Sequence, residues 1–127
     1  MKAPPRGEVW LVDLGLAAKI RPCLVLSIPF ETTERSIVKL IPHTTSIRGS
    51  RFEVVVPVRF LKPGAFDAQG LVTVPVVYLI RRVGILSAAQ IEPVESAVCH
   101  WLGIKPSPRG LTNRSPARPA GRQQPAQ

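Results

Sequence analysis

Two neighbouring stretches decide the class of fold: residues 8–14 read EVWLVDL and residues 21–28 read RPCLVLSI. The first stretch alternates aromatic or apolar residues with polar ones, as a half-buried strand does. The second has the pattern of a strand with Pro22 at its start, where a missing N–H is tolerated. Small residues over 15–20 join the two. We therefore predict two consecutive strands connected by a short loop.

Three more strands are predicted downstream. Pro42 is expected to end the pairing of the first, and residues 43–50 (HTTSIRGS) are expected to form a loop with a glycine turn. A proline interrupts the last strand, which indicates an edge or a bulge. These strands are predicted over residues 36–41, 52–58 and 70–80.

The last element is predicted to be a helix. Ser87 and Gln90 have the spacing of a capping box, and Gly103 is a suitable C-terminal stop. Pro93 conflicts with a helix that begins at Ala88, so we expect a separate or kinked first turn. Apolar residues then recur at helical spacing on one face: Ile91, Val94, Val98, Trp101 and Leu102.

These elements predict a mainly β fold, a small barrel or half-barrel of the SH3-like or OB sort with about five strands and a C-terminal helix. The chain is expected to divide into a barrel domain over residues 1–104 and a Pro/Arg-rich tail over residues 105–127. Five prolines without periodicity predict that the tail is disordered. No signal peptide or membrane-spanning stretch is evident, so we expect a cytoplasmic protein without membrane association.

The net charge of +9 favours polyanionic partners, because each neutralised phosphate releases a counterion. Five of these charges lie in residues 105–127, whereas residues 1–104 hold twelve basic and eight acidic side chains. The charge argument is therefore weaker for the folded part than for the tail. The tail either adds nonspecific, salt-sensitive affinity or only solubilises the protein.

The two cysteines do not form a framework. Cys23 and Cys99 each lie in an apolar run, which favours reduced, buried thiols. Neither a CxxC motif nor a Cys/His cluster occurs, so we expect neither a structural zinc site nor any other metal or cofactor.

Three motifs, in order, resemble those of MazF/PemK-type toxins. Residues 7–13 (GEVWLVD) resemble the family's opening strand, and residues 21–27 (RPCLVLS) resemble its R-P-x-[LV]-V-[LI]-S strand. Residues 42–46 (PHTTS), followed by residues 51–54 (RFEV), resemble its P-x-T-[ST] turn and the strand after it. With a closing helix that ends in WLG, the resemblance extends over residues 6–104.

This resemblance implies an SH3-like barrel that forms a homodimer and cleaves single-stranded RNA, including mRNA, at short sequences without a metal ion. The products would carry a 2′,3′-cyclic phosphate and a 5′-OH, and a cognate antitoxin would hold the endoribonuclease inactive. By motif position, Arg21 takes the role of phosphate clamp and candidate proton donor, and Thr44 that of a group bonding the scissile phosphate. A guanidinium fork suits phosphate oxygens. The alternatives are a surface arginine and a turn hydroxyl that bonds a backbone N–H.

Further candidates surround these two residues. His43 has a side chain with an unperturbed pKa near 6.5 and is a candidate general base, although strand alternation turns it away from Thr44. The remaining candidates are turn residues and loop cations, which would either contact the RNA or stay solvated: Thr45, Ser46, Lys19, Arg48 and Arg51.

One family feature has no counterpart at its usual place. Many members carry an Asp-Gln pair about five residues after the glycine that corresponds to Gly70, where this chain has Pro75 and Val76. Base recognition is therefore expected to differ. Two other classes of function remain open: a non-catalytic barrel that binds nucleic acid or poisons gyrase, and a passive barrel in a larger assembly.

Overall fold

The structure is a computed structural model that describes residues 2–17 and 19–105. The predicted tail lies outside the described residues except for Lys105. The described residues form seven strands, two short 3₁₀ turns (Ala68–Gly70 and Val76–Tyr78) and one α-helix. The strands are β1 (Glu8–Asp13), β2 (Ile20–Val25), β3 (Ile37–Thr44), β4 (Glu53–Val54), β5 (Ala65–Asp67), β6 (Val72–Pro75) and β7 (Leu79–Ile85); the helix is α1 (Ala88–Leu102).

All strand pairs are antiparallel, and they form one sheet in the order β4-β5-β3-β2-β1-β7, with β6 also paired to β3. The mainly β class with a C-terminal helix is therefore confirmed, with seven strands instead of about five. Within residues 2–17 and 19–105, no pairing joins β4 to β7, so the sheet is not closed into a barrel by a backbone ladder.

Alternate residues of the central strands enter two separate cores. Val9 and Leu24 pack in a cluster with the apolar face of α1, whereas Val12, Cys23 and Val25 pack in a second cluster with residues of β3, β6 and the 3₁₀ turn after β6. This is the period-2 pattern that residues 8–14 predicted. Consequently the sheet is covered on both faces, by the helix on one and by its own curled edge on the other.

The prediction that Pro42 ends the third strand is wrong. β3 continues to Thr44, and Pro42 pairs with Cys23 of β2. On its other side β3 changes partner at this proline. Leu40 pairs with Val72 of β6 and His43 with Phe66 of β5, so two residues of β3 face the five residues 67–71. The neighbouring chain thus leaves the ladder, as a 3₁₀ turn, where proline offers no N–H.

Two other predicted strands are shorter than expected. Of residues 52–58, only Glu53–Val54 is a strand. Residues 70–80 divide at Pro75, where a 3₁₀ turn separates β6 from β7. The interruption that the proline predicted is therefore present, and it lies between two strands instead of inside one.

The helix begins where the capping box predicts. The Ser87 hydroxyl accepts from the Gln90 N–H, the Gln90 side chain accepts from the Ser87 N–H, and Gly103 ends the helix at φ 72°. Of the two predicted alternatives, a separate first turn is wrong, because Pro93 lies inside one continuous helix. Pro93 and Ala89, whose carbonyl loses its donor, are both exposed, so the lost bond does not leave a buried group unpaired.

Some side chains that were predicted to be buried are partly exposed. Trp101 and Leu102 were predicted on the buried face but are 45% and 49% exposed. Cys23 is a fully buried free thiol, and burial raises its pKa to about 12, whereas Cys99 is only partly buried.

No helix in the described part of the chain is long and apolar enough to cross a membrane.

Replacing the cap tests the helix start. Ser87→Ala should lower the free energy of unfolding by about 1 kcal/mol, because the N–H of Gln90 loses its acceptor. Urea denaturation measures this loss. Ser96→Ala is the matched control in the same helix: Ser96 is exposed, and alanine favours the helical backbone there. Equal midpoints for the two variants would show that the cap contributes nothing.

Candidate functional site

The pairing of β2 with β3 brings the two principal candidates to the same end of the two strands. Cys23 pairs with Pro42 at the end of this ladder, and Arg21 and Thr44 each lie two residues beyond that last pair. Arg21 and Thr44 are both partly buried, and both line a cleft of about 430 Å³ at the end of these strands. His43, Ser46 and Arg48 line the same cleft. Five of the eight sequence candidates are therefore brought together.

The Thr44 hydroxyl is part of a turn. Its Oγ1 accepts from the Ser46 N–H at 3.0 Å and donates to the Ser46 carbonyl oxygen at 3.5 Å. Thr44 therefore makes the turn hydrogen bond that the alternative interpretation predicted. A donor–acceptor distance of 3.5 Å is long for an O–H···O bond. The Thr44 hydroxyl therefore makes one short hydrogen bond, as an acceptor, and one long one, as a donor.

His43 is 4% exposed, and its ring meets the edge of Phe66 at 5.0 Å between centroids. Gly64 packs closely against the His43 ring and the Thr44 carbonyl. A Cβ at this position would lie 2.1 Å from the Thr44 carbonyl oxygen and 2.8 Å from His43 Cε1, which leaves no space for a side chain. Burial lowers the pKa of His43 below its ordinary value. The imidazole is therefore neutral near pH 7 and retains one ring nitrogen as an acceptor.

Two acidic residues of the cleft were missed by the sequence analysis. Glu53 and Asp67 line it, and Asp67 Oδ1 also accepts from the Gln69 N–H at the start of the 3₁₀ turn. An Asp and a Gln thus stand just before Gly70, in the run DAQG, and not five residues after it. At the place where the Asp-Gln pair was expected, Pro75 pairs with Ile37 of β3 and Val76 lies in the second core.

A second cleft of about 370 Å³ shares Arg21 and His43 with the first. Its charged lining is basic only, with Lys62 and Arg81 beside Arg21, and Thr45 is a third sequence candidate that lines it. Lys62 and Arg81 were not among the sequence candidates, because neither stands in or beside a motif. The apolar part of this lining consists of Leu11, Ile20, Pro22, Phe60, Leu61 and Val83.

Two predicted cations line neither cleft. Lys19 is exposed in the β1–β2 loop at φ 58°, and its N–H donates to the Gly15 carbonyl. Arg51 places its guanidinium over the Phe52 ring, 4.7 Å from the centroid. Over residues 2–17 and 19–105, no three His, Cys, Asp or Glu side chains gather in a way that could hold a metal ion.

Comparison with known proteins decides the family. Residues 5–102 match the family model described as PemK-like, MazF-like toxin of type II toxin-antitoxin system. The chain belongs to this family. The match covers the whole sheet and the helix, including the cleft.

Solved structures of PemK/MazF relatives share the fold. The Mycobacterium tuberculosis toxin MazF-mt6 is 28% identical with a TM-score of 0.67, and the match covers 77% of this chain and 98% of that one. An endoribonuclease in complex with its cognate antitoxin, from Mycobacterial species, is 25% identical with a TM-score of 0.70, over 84% of this chain and 100% of that one. A chain of MazE-MazF from Deinococcus radiodurans, 20% identical over 81% and 98% with a TM-score of 0.68, supports the fold alone.

The buried histidine predicts a pH-dependent stability. Because the pKa of His43 is lowered in the folded state, the unfolded chain takes up a proton first as the pH falls below about 6.5. The free energy of unfolding should then decline by up to about 1.4 kcal/mol per pH unit, until the folded-state pKa is passed. Urea titrations at several pH values, compared with His43→Phe, isolate this contribution. Parallel curves for the two proteins would contradict it.

Proposed function

We propose that this chain is a metal-independent endoribonuclease that cleaves single-stranded RNA, including mRNA, at short sequences. The observation that carries the proposal is that Arg21 of β2 and Thr44 of β3 line one cleft, at the end of the β2–β3 ladder, in a PemK/MazF family member. A guanidinium and a hydroxyl facing one space are suited to holding the oxygens of one phosphodiester. The mycobacterial relative is itself named an endoribonuclease.

The chemistry follows from the groups in the cleft. The ribose 2′ oxygen attacks phosphorus, so that a P–O2′ bond forms and the P–O5′ bond breaks. His43, neutral because burial lowers its pKa, is the candidate acceptor of the 2′-OH proton. Arg21 and the Thr44 hydroxyl stabilise the charge on the non-bridging oxygens. Arg21 is also the candidate donor of a proton to the leaving 5′ oxygen, because an alkoxide is more basic than a neutral guanidine; solvent then takes the proton from His43 and returns one to Arg21. The products are a 2′,3′-cyclic phosphate and a 5′-OH.

The RNA on either side of the scissile phosphate has two places to lie. The first cleft offers the carboxylate of Asp67 as an acceptor for base N–H groups, and the second offers Lys62 and Arg81 for neighbouring phosphates. Lys19 and Arg51 line neither cleft, so in this proposal they act only through the long-range field.

The proposed partners follow from the family and its relatives. We expect a cognate antitoxin, since the mycobacterial endoribonuclease occurs in complex with one. We also expect a homodimer, with the cytoplasm, where mRNA is available, as the compartment of action. An antitoxin segment over Arg21 would exclude RNA from both clefts, because they share this residue.

The catalytic claim is tested on purified protein incubated with single-stranded RNA and EDTA, followed by identification of the new ends. Cleavage should persist in EDTA and leave 2′,3′-cyclic phosphates. Arg21→Ala and Thr44→Val should each lower kcat about 10²- to 10³-fold, the usual cost of losing a preorganised donor to a developing charge. Thr44→Ser is the matched control, because it keeps both the hydroxyl and the bond to the Ser46 N–H.

Unaltered RNA, or cleavage that Arg21→Ala leaves intact, would refute the catalytic claim. Growth arrest with undamaged RNA, relieved by a resistant gyrase, would instead indicate a non-catalytic toxin of the same fold.

A further inference from the structure

The Glu53 carboxylate binds three consecutive backbone amides. Oε1 accepts from the N–H groups of Gly49 at 2.7 Å, Ser50 at 2.9 Å and Arg48 at 3.1 Å, and Oε2 accepts from Arg48 at 3.0 Å. Gly49 has φ 82°, a left-handed conformation that lets the successive amides turn toward one point. These hydrogen bonds lower the pKa of Glu53, so the carboxylate is charged over the whole neutral range.

These amides belong to the loop of residues 45–50, which is held at both ends. At its start, the Thr44 hydroxyl accepts a hydrogen bond from the Ser46 N–H. At its end, the Glu53 carboxylate accepts hydrogen bonds from the N–H groups of residues 48–50. Between these anchors the loop is exposed, and Ile47 at its tip is 50% exposed. The loop buries little side chain, so these polar anchors, and not packing, fix its conformation.

Glu53 in turn is fixed to the core. Phe52 immediately before it is 6% exposed and meets the rings of His100 and Trp101 at 5.4 and 5.3 Å between centroids. Its N–H donates to the Ser50 hydroxyl, which ties the loop end to the same residue. A rigid connection therefore leads from helix α1 through Phe52 and Glu53 to the loop.

Two residues of this loop, Ser46 and Arg48, line the cleft with Arg21 and Thr44, and Glu53 lines it as well. We propose that Glu53 is a positioning residue whose carboxylate holds the loop of residues 45–50 as one wall of the cleft, so that Ser46 and Arg48 meet the RNA. This inference rests on the proposed function. Glu53 acts on the RNA through the loop, whereas Arg21 lies on strand β2 and Thr44 on β3, so their geometry does not depend on Glu53.

The test uses the full chain and Glu53→Gln, which keeps the shape but replaces the charged acceptor with a neutral one. Hydrogen exchange of the Arg48, Gly49 and Ser50 amides should accelerate about tenfold, because charge-assisted bonds are roughly twice as strong as neutral ones. The KM for single-stranded RNA, and the Kd for a 2′-O-methyl RNA that cannot be cleaved, should rise about tenfold as Arg48 loses its place. The value of kcat should change less than about threefold, since Arg21 and Thr44 stay in place.

Glu34→Gln is the matched control. The Glu34 carboxylate also accepts a backbone N–H, that of Glu31 at 2.8 Å, but in a loop that lines neither cleft. It should leave KM, Kd and kcat as in the wild type. Urea denaturation of Glu53→Gln should match the wild type, which separates local loop release from a loss of folding.

Three results for Glu53→Gln would overturn the positioning role. The first is unaltered amide exchange, and the second is faster exchange with unchanged KM and Kd. The third is a fall in kcat as large as the rise in KM, together with a lower free energy of unfolding. Failure of the wild type to cleave RNA would overturn the proposed endoribonuclease instead. The amide exchange and the Kd for 2′-O-methyl RNA would still decide the role of Glu53, because neither measurement requires cleavage.

Discussion

The antiparallel pairing of β2 with β3 is the constraint on which both the core and the cleft depend. Its register, fixed by Leu24 opposite Ile41 and Cys23 opposite Pro42, assigns successive side chains to opposite faces. Leu24 and Ile41 enter the core under the helix, and Cys23 enters the second core. A shift of one residue would move each set of side chains toward the wrong core, and it would also displace Arg21 relative to Thr44. Burial of the two cores therefore holds the cleft geometry in place.

Polar contacts and one close backbone approach add to the packing of the two cores. On β1, Glu8 is almost fully buried and accepts from Trp10 Nε1 at 2.9 Å and from Arg82 of β7 at 3.3 Å, which satisfies a carboxylate that would otherwise be costly to bury. At the cleft, Gly64 permits the close approach of β5 to the end of β3. The cleft thus has two kinds of wall. The end of β3, which carries His43, is tightly packed, whereas the loop of residues 45–50 is exposed and is held by hydrogen bonds. Strands β2 and β3 carry Arg21 and Thr44, and the loop that Glu53 holds carries Ser46 and Arg48.

The sequence predicted those features that depend on local patterns. The strand at residues 8–14, the capping box at Ser87 and the stop at Gly103 are each encoded by neighbours within a few residues, and the structure confirms them. Pro42 was misjudged because its effect depends on a partner strand: β3 exchanges β6 for β5 at that point, so the proline fits within a continuous strand. The motif resemblance singled out Arg21 and Thr44 as the candidate catalytic pair, and both line the same cleft. Asp67 and Glu53 were missed because only the fold brings β4 and β5 to the end of β3.

The central claim is that Arg21 and Thr44 act on one phosphate. A double-mutant cycle of RNA cleavage with Arg21→Ala, Thr44→Val and the double variant tests it most directly. Residues that act as a unit on one group are strongly non-additive. The double variant should therefore be little slower than the slower single variant. A rate loss equal to the product of the two single losses would show that the residues act independently, and it would contradict the account.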